Sequence, residues 1–344
     1  MTKRFVMEVY NISTIKDVAK YTGLSIATIS KYINGGNVLD ENKKIIQEAI
    51  EVLDYKRNEM ARGLKTNKTM TIGVLLPSLE NIFFTSIVSI IEGILQEKGY
   101  GTIICDFKED KELEHTKLEF LINKHVDGII MVSYSGEKKH IQSLLDKKIP
   151  VILLDRMIKG LDCDIVIADN LNASYQAVEE LIMRKHKRIG IICGPENTYT
   201  ADERRKGYIR VHEDYNVDID EELIKNADYT VVSGYKALID LWNMDKRPSA
   251  VLVTNYEMTI GAIMAVNDLN ITIPNQLSLI GFDNIQMARI VRPPLSIVEQ
   301  PMKEIGETAA NLMLKRLSDD YSDFPSTYRL KTKVHIKESV STNI

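Results

Sequence analysis

The stretch TIKDVAKYTGLSIATISKYIN, residues 14–34, holds two short helical periods on either side of a glycine. Ile15, Val18, Ala19 and Thr22 repeat at helical spacing. Gly23 interrupts them, and Ser25 can cap a second helix running from Ile26 to about Asn34. Ala19, Gly23 and Ile29 have the spacing of a helix-turn-helix. A small residue at 19 lets the second helix cross closely, a glycine at 23 accepts the turn conformation, and an apolar residue at 29 locks the second helix onto the first. That leaves Ile26, Ala27, Ser30 and Lys31 facing outward, at the helix end that enters a major groove. Ser25, Thr28 and Ser30 can bond phosphates, which the helix N-terminus also attracts. The bland alternative is a small three-helix domain in which Ser and Thr only cap. Three matches in spacing and a basic segment downstream weigh against it.

Outward from this stretch, Gly35-Gly36-Asn37 is a stop signal. Asp40 can cap a third helix through Leu53, with Ile45, Ile46, Ala49, Ile50 and Leu53 as its apolar face. Residues 57–68, RNEMARGLKTNK, read as a polar, basic linker with one short helical turn. The first 68 residues hold 12 Lys/Arg against 8 Asp/Glu, while the remainder holds 32 against 40. A small basic head on an acidic body suggests that only the head meets a polyanion.

After Thr69 the texture changes. Short apolar runs, at Thr71–Leu76, Thr102–Cys105, Gly128–Val132, Val151–Leu154, Ile165–Ala168, Ile189–Cys193, Ala250–Val253 and Leu277–Phe282, alternate with amphipathic stretches such as Thr85–Lys98, Asn172–Arg184 and Glu257–Asp268. Strands apolar on both faces mark a parallel sheet covered by helices. The fold class expected is α/β: a small all-α helix-turn-helix head, then a doubly wound parallel-sheet body. About 270 residues exceed one such sheet of ordinary size, so the body should have two lobes.

The 344 residues, 44% hydrophobic and 27% charged, are ordinary for a globular protein. No apolar run approaches the roughly 20 residues of a bilayer span, and MTKRFVMEVYNIS lacks the apolar centre of a signal peptide. The expectation is a cytoplasmic protein without membrane association. Cys105, Cys163 and Cys193 lie far apart in apolar runs, against a disulfide framework or a cysteine zinc site. No GxxxxGK[ST], GxGxxG after a strand, or GxSxG elbow occurs, and no His/Cys/Glu spacing suits a metal. The chain reads as a non-enzyme without cofactor or metal.

Residues 14–34 resemble the DNA-binding head of the lactose/galactose repressor (LacI/GalR) family, and the resemblance continues along nearly the whole chain. It implies base-reading positions at Ile26, Ala27 and Lys31, and a further contact at Asn34. Isoleucine and alanine can touch a thymine methyl, and Lys31 can reach guanine acceptors. NEMARGL, residues 58–64, looks like the family's hinge helix. By that resemblance Asn58, Ala61 and Leu64 meet the minor groove, with Leu64 wedged between base pairs. Gly63 weakens an isolated helix by about 1 kcal/mol, which suits a segment that folds only on DNA.

The body resembles the family's core domain, similar in fold to periplasmic sugar-binding proteins: two α/β lobes, three crossovers, and a ligand between them at the carboxyl ends of the strands. The implied divisions are an extension (1–13), the head (14–56), the hinge (57–69), a first lobe (70–170 with 300–327) and a second lobe (171–299 with 328–344). Family ligand positions fall on Phe83, Phe84, Asp155, Arg204, Tyr229, Asn255, Asp283 and Gln300. Asp and Arg suit paired hydroxyls, and Phe83, Phe84 or Tyr229 can lie against a sugar ring. Because Phe83 and Phe84 are adjacent, at most one is expected to face the cleft. Asp155 and Gln300 can serve hinge geometry instead of contact. Tyr256 departs from the family's usual Asp. The resemblance implies a repressor that binds a pseudo-palindromic operator as a homodimer, controlled by a small molecule. Sugars are favoured, although purines serve relatives. No heptad segment follows the last expected strand, which points to a dimer. About ten residues precede the head, with Met7 an alternative start. The competing readings are control by a phosphorylated partner protein, as in the catabolite control subgroup, a solute-binding module, and an enzymatic body.

Overall fold

The computed structural model describes residues 13–56, 68–283 and 285–343. They fall into two compact units, divided between Thr69 and Met70.

The first unit is three helices, α1 (Ile15–Thr22), α2 (Ile26–Ile33) and α3 (Asp40–Val52). Asp17 accepts hydrogen bonds from the amide and hydroxyl of Thr14 at the start of α1, 2.8 and 2.7 Å, and these hold its carboxyl below the usual range. Gly23 closes α1 in the left-handed region, φ +68, with its amide donating to the Ala19 carbonyl at 3.0 Å. The Ser25 hydroxyl accepts the Thr28 amide at 3.1 Å and so caps α2. Val18, Ile29, Ile46 and Ala49 are fully buried where the helices meet. One expected cap moves. Leu39 holds the cap position of α3, and Asp40 is its first helical residue, paired with Lys43 at 2.8 Å. A carboxylate one residue further in still suits the positive end of the helix dipole.

The second unit carries two six-stranded sheets. The first comprises β1 (Thr71–Leu76), β2 (Gly101–Asp106), β3 (Gly128–Met131), β4 (Val151–Leu154), β5 (Asp164–Ala168) and β11 (Thr327–Leu330) in the order β11-β5-β4-β3-β1-β2. All of its pairings are parallel. The second comprises β6 (Ile189–Cys193), β7 (Ile224–Asn226), β8 (Ala250–Val253), β9 (Ser278–Phe282), β10 (Ser296–Glu299) and β12 (Lys333–His335) in the order β12-β10-β9-β8-β6-β7. Only its β10–β12 pair is antiparallel. The central strands are buried on both faces, as their unbroken apolar runs require.

Helices cover both faces. In the first lobe these are α4 (Ile82–Glu97), α5 (Lys111–Asn123), α6 (Lys138–Asp146) and α12 (Met302–Leu317). In the second they are α7 (Asn170–Met183), α8 (Tyr199–Asp214), α9 (Val231–Trp242), α10 (Tyr256–Asp268) and α11 (Ile285–Ile290). The chain therefore crosses between lobes after β5, after β10 and after β11. The sequence places the last crossover at 327–328. Strand β11 instead pairs along its length with β5, from Thr327 beside Ile165 to Leu330 beside Ala168, so the passage runs through Lys331 and Thr332. In each lobe the order doubles back beside the first strand, β3-β1-β2 and β8-β6-β7, and the carboxyl ends of these strands open into a crevice.

Candidate ligand cleft and nucleic-acid interface

The loops at those carboxyl ends line one cavity within the body. All eight positions singled out in the sequence border it. Phe83, Phe84, Asp155 and Gln300 come from the first lobe or its crossovers, and Arg204, Tyr229, Asn255 and Asp283 from the second. The cavity is about 50 Å³, where one water needs about 10–15 Å³ on the same footing. The cleft is close to filled by its own side chains.

Arg204 sits at its centre and is buried. Three residues further along α8, a Cβ on Gly207 would lie 2.1 Å from the Leu171 carbonyl oxygen. Glycine there lets α8 lie directly on α7. One turn earlier Arg204 faces the crossovers. Its Nε donates to Asn170 Oδ1 at 2.8 Å, its Nη2 to Gln300 Oε1 at 3.2 Å, and its Nη1 to the Thr254 carbonyl. The guanidinium also stacks on Phe282, 4.4 Å from the ring centre. Gln300 extends the chain of bonds by donating its amide to both carboxylate oxygens of Asp283, at 3.1 and 2.9 Å. Burial pushes the Asp283 carboxyl up to about 6, while Arg204 and Gln300 pull the other way. Arg204 and Asp283 are thus joined through Gln300.

Asp155 is raised as well, chiefly by burial, with Arg204 and Arg156 opposing. Its carboxylate has no hydrogen-bond partner among the described residues, which leaves its acceptors open. Asp155, Tyr229 and Asp283 all lie in left-handed backbone, at φ +62, +68 and +58, each just past a strand or at a loop end. Such conformations are uncommon without glycine and concentrate at functional sites. The Tyr229 ring packs where Gly194 has no side chain, since a Cβ there would lie 2.1 Å from it. Its hydroxyl shares a hydrogen bond with Thr200 Oγ1 at 2.9 Å. Asn255 Oδ1 accepts the Met258 amide at 2.8 Å and caps α10, which leaves its amide group toward the cavity it lines.

Phe83 and Phe84 both border the cavity, contrary to the expectation that one of them turns into the core. Both belong to the core of the first lobe as well. They occupy the first turn of α4, where neighbours are about 100° apart and a helix end meets the strand ends, so one edge of each ring can reach the crevice. Their rings meet edge to face, 5.2 Å between centres. Four further lining residues escaped the sequence reading: Asn81, Glu109, Arg156 and Thr200. Asn81 carried a signal, since it caps α4 by accepting the Phe83 amide at 2.9 Å. Arg156 directly follows Asp155. Glu109 and Thr200 reach the site only through the folding of distant loops.

In the head, Ser25, Ile26, Ala27, Lys31 and Asn34 are exposed and Thr28 and Ser30 are half-buried, all on or flanking α2. The Asn34 amide donates to the Ser30 carbonyl at 2.6 Å. Asn58, Ala61 and Leu64 lie outside the described residues. Among the described residues no group of His, Cys, Asp or Glu side chains is arranged to hold a metal ion. No helix there is long and apolar enough to cross a membrane.

Comparison with known proteins places both units. Residues 14–58 match the bacterial regulatory proteins of the lacI family, and residues 178–340 match the periplasmic binding protein-like domain. Catabolite control protein A of Priestia megaterium is 34% identical over 328 residues, covering 95% of this chain and 98% of that protein. The HTH-type transcriptional repressor PurR of Proteus mirabilis is 34% identical over 316 residues, 91% of this chain and 92% of that one. Among solved structures, a LacI family transcriptional regulator from Enterococcus faecium with bound ribose has a TM-score of 0.71 at 26% identity, covering 80% of this chain and all of that one. The order of the two units and the identity over nearly full length lead to one conclusion: the chain belongs to the LacI/GalR family of DNA-binding transcriptional regulators.

Proposed function

We propose that the chain is a repressor that binds a pseudo-palindromic operator as a homodimer and changes its operator affinity when a sugar or sugar derivative occupies the cleft. The supporting observation is the cavity itself: two phenylalanine edges and a tyrosine lie beside Asp155 with its open acceptors and a buried Arg204–Gln300–Asp283 chain of bonds. Apolar ring faces plus planar hydrogen-bonding groups are what a polyhydroxylated ring requires. With so little free volume, a ring enters only when the lobes part, and its hydroxyl groups then bridge residues of both. Ligand binding and the lobe angle are thereby linked, and the link runs both ways. In the head, Ile26, Ala27 and Lys31 read base edges, Ser25, Thr28, Ser30 and Asn34 hold the backbone, and Asn58, Ala61 and Leu64 act in the minor groove.

The test is a thermal-shift panel of sugars, nucleosides and purines on the full chain. A ligand at 100 times its Kd adds about 2.7 kcal/mol. The expected result is a sugar that raises the body's transition and loses that effect in Arg204→Ala. A folded protein that responds only to purines, or to nothing, counts against the sugar reading.

A further inference from the structure

Two guanidinium groups line the cavity, and they are used differently. Arg204 donates from Nε and both Nη groups, to Asn170, Gln300 and the Thr254 carbonyl. Arg156 lies on the loop after β3, which is itself held in place. Glu114, buried on α5, accepts the amides of Tyr134 and Ser135 at 3.1 and 2.6 Å, and the Ser133 hydroxyl accepts the Gly136 amide at 3.3 Å. Over that loop the Arg156 guanidinium stands 5.4 Å from the centre of the Tyr134 ring, and its Nη1 donates to the Ser133 carbonyl at 3.4 Å. Its Nε is buried and has no hydrogen-bond partner, and no carboxylate among the described residues forms an ion pair with the group. The carboxylates of the cavity do not fill that place. Asp283 accepts both hydrogen bonds of the Gln300 amide. Burial raises Asp155 and Glu109, and the Arg156 charge counters this only from beyond ion-pair distance. A buried donor without an acceptor, on a charge without a partner, is costly. Such groups concentrate where a ligand completes them.

We infer that the effector carries an oxyanion, a carboxylate or a phosphate, and that Arg156 holds it through its buried Nε edge. The inference rests on the sugar reading above and narrows it to an acidic or phosphorylated sugar. A neutral hydroxyl would satisfy Nε and leave the charge unpaired. An oxyanion does both, and a guanidinium edge presents parallel N–H groups that match the geometry of a carboxylate or a phosphate. Asp155, the preceding residue, has open acceptors for hydroxyl hydrogens of the same compound. Two adjacent residues thus divide the ligand into a hydroxylated part and an acidic part. The carboxylates of the cavity do not close it to an anion. Raised carboxyls such as those of Asp155 and Glu109 take up a proton readily when a further negative charge arrives.

The test is calorimetric titration of the full chain with matched sets: glucose, glucuronate and glucose 6-phosphate; galactose, galacturonate and galactose 6-phosphate; ribose and ribose 5-phosphate. The wild type should bind at least one acid or ester tenfold or more tightly than its neutral parent, and which of the two does so tells carboxylate from phosphate. Arg156→Met should lower the affinity for that anion at least tenfold while the parent's stays within threefold. Arg156→Lys, which keeps the charge and loses the planar fork, should lower it threefold or more and gives the reading if the Met variant does not fold. Circular dichroism checks folding, and Lys236→Gln, on α9, serves as a charge-change control that leaves the preference in place. A neutral parent that binds the wild type as tightly as its acid and its ester overturns the inference and leaves the sugar reading standing. A preference unmoved in folded Arg156 variants overturns the assignment to Arg156. A folded wild type that binds no compound of the sets sinks the sugar reading and the inference with it.

Discussion

The head and the body put their functional groups in opposite places. In the head, the core is four buried apolar residues, and the side chains assigned to DNA stand on the surface of α2. In the body, Arg204, Asp283 and Gln300 are as buried as the hydrophobic core and are held there by one another. A surface group can change without disturbing its fold. Replacing a buried charged group changes the stability of the fold, because its desolvation and its partners' hydrogen bonds are altered along with it. In this chain the face proposed to meet DNA is thus separate from the core that holds it, whereas in the cleft the proposed binding groups also carry stability.

Four experiments test that contrast, beginning with the largest effect. Ile29→Ala removes one of the few fully buried residues of the head. A cost of about 2–5 kcal/mol on so small a core should unfold the head and abolish operator binding, while the thermal transition of the body and its response to ligand stay unchanged. Scanning calorimetry with an operator-binding assay reads both, and a body transition that fell with the head would break the separation. Arg204→Ala should lower ligand affinity at least 100-fold and also destabilise the body by about 3 kcal/mol, since Asn170, Gln300 and the Thr254 carbonyl all lose a donor. Denaturant unfolding that shows no loss would mean that the buried network contributes little.

Asp283→Asn sharpens the point in the other direction. The folded carboxyl is raised to about 6 from an ordinary value near 3.8, so the folded state prefers the protonated form. Its favourable contribution is complete below about pH 4 and is lost as pH rises through 6. The Asn variant should therefore be more stable than wild type at pH 7.5, by roughly 1–3 kcal/mol, with the gap closing toward pH 4, while ligand affinity falls. Thermal melts across that range decide it, and a gap independent of pH would place the cost elsewhere. Smallest is Lys31→Ala, expected to weaken operator binding about tenfold, consistent with about 1–3 kcal/mol for a base contact, with no change in melting temperature. A fall in melting temperature would mean that this surface is less free than described.

The same contrast governs what the sequence disclosed. The helix-turn-helix is local: Gly23, Ser25 and Ile29 lie within one short window and each does there what its chemistry suggests. The strands were equally plain, because an apolar run buried on both faces has little other use. Helix starts were harder. The expected start of α4 at Thr85 falls one turn late, because Asn81 caps the helix and Phe83 and Phe84 already lie in its first turn. The cap expected at Asp40 falls instead at the position of Leu39. The cleft residues at strand ends could be placed by resemblance. The bonds that make them a network could not, since Asn170, Thr254 and Gln300 lie 34 to 96 positions from Arg204 and meet it only when two lobes fold.

The backbone of the cleft has a consequence for redesign. A library meant to make this regulator answer a new small molecule would naturally randomise Asp155, Tyr229 and Asp283, yet all three lie in left-handed backbone. Glycine, asparagine and aspartate enter that region readily, whereas valine, isoleucine and threonine do so only under strain. Much of a fully random library at these positions would be lost to misfolding before any ligand was offered. Variation at Phe83, Thr200 and Tyr256, where the chain is helical, leaves the peptide geometry intact and gives a search over pocket shape alone.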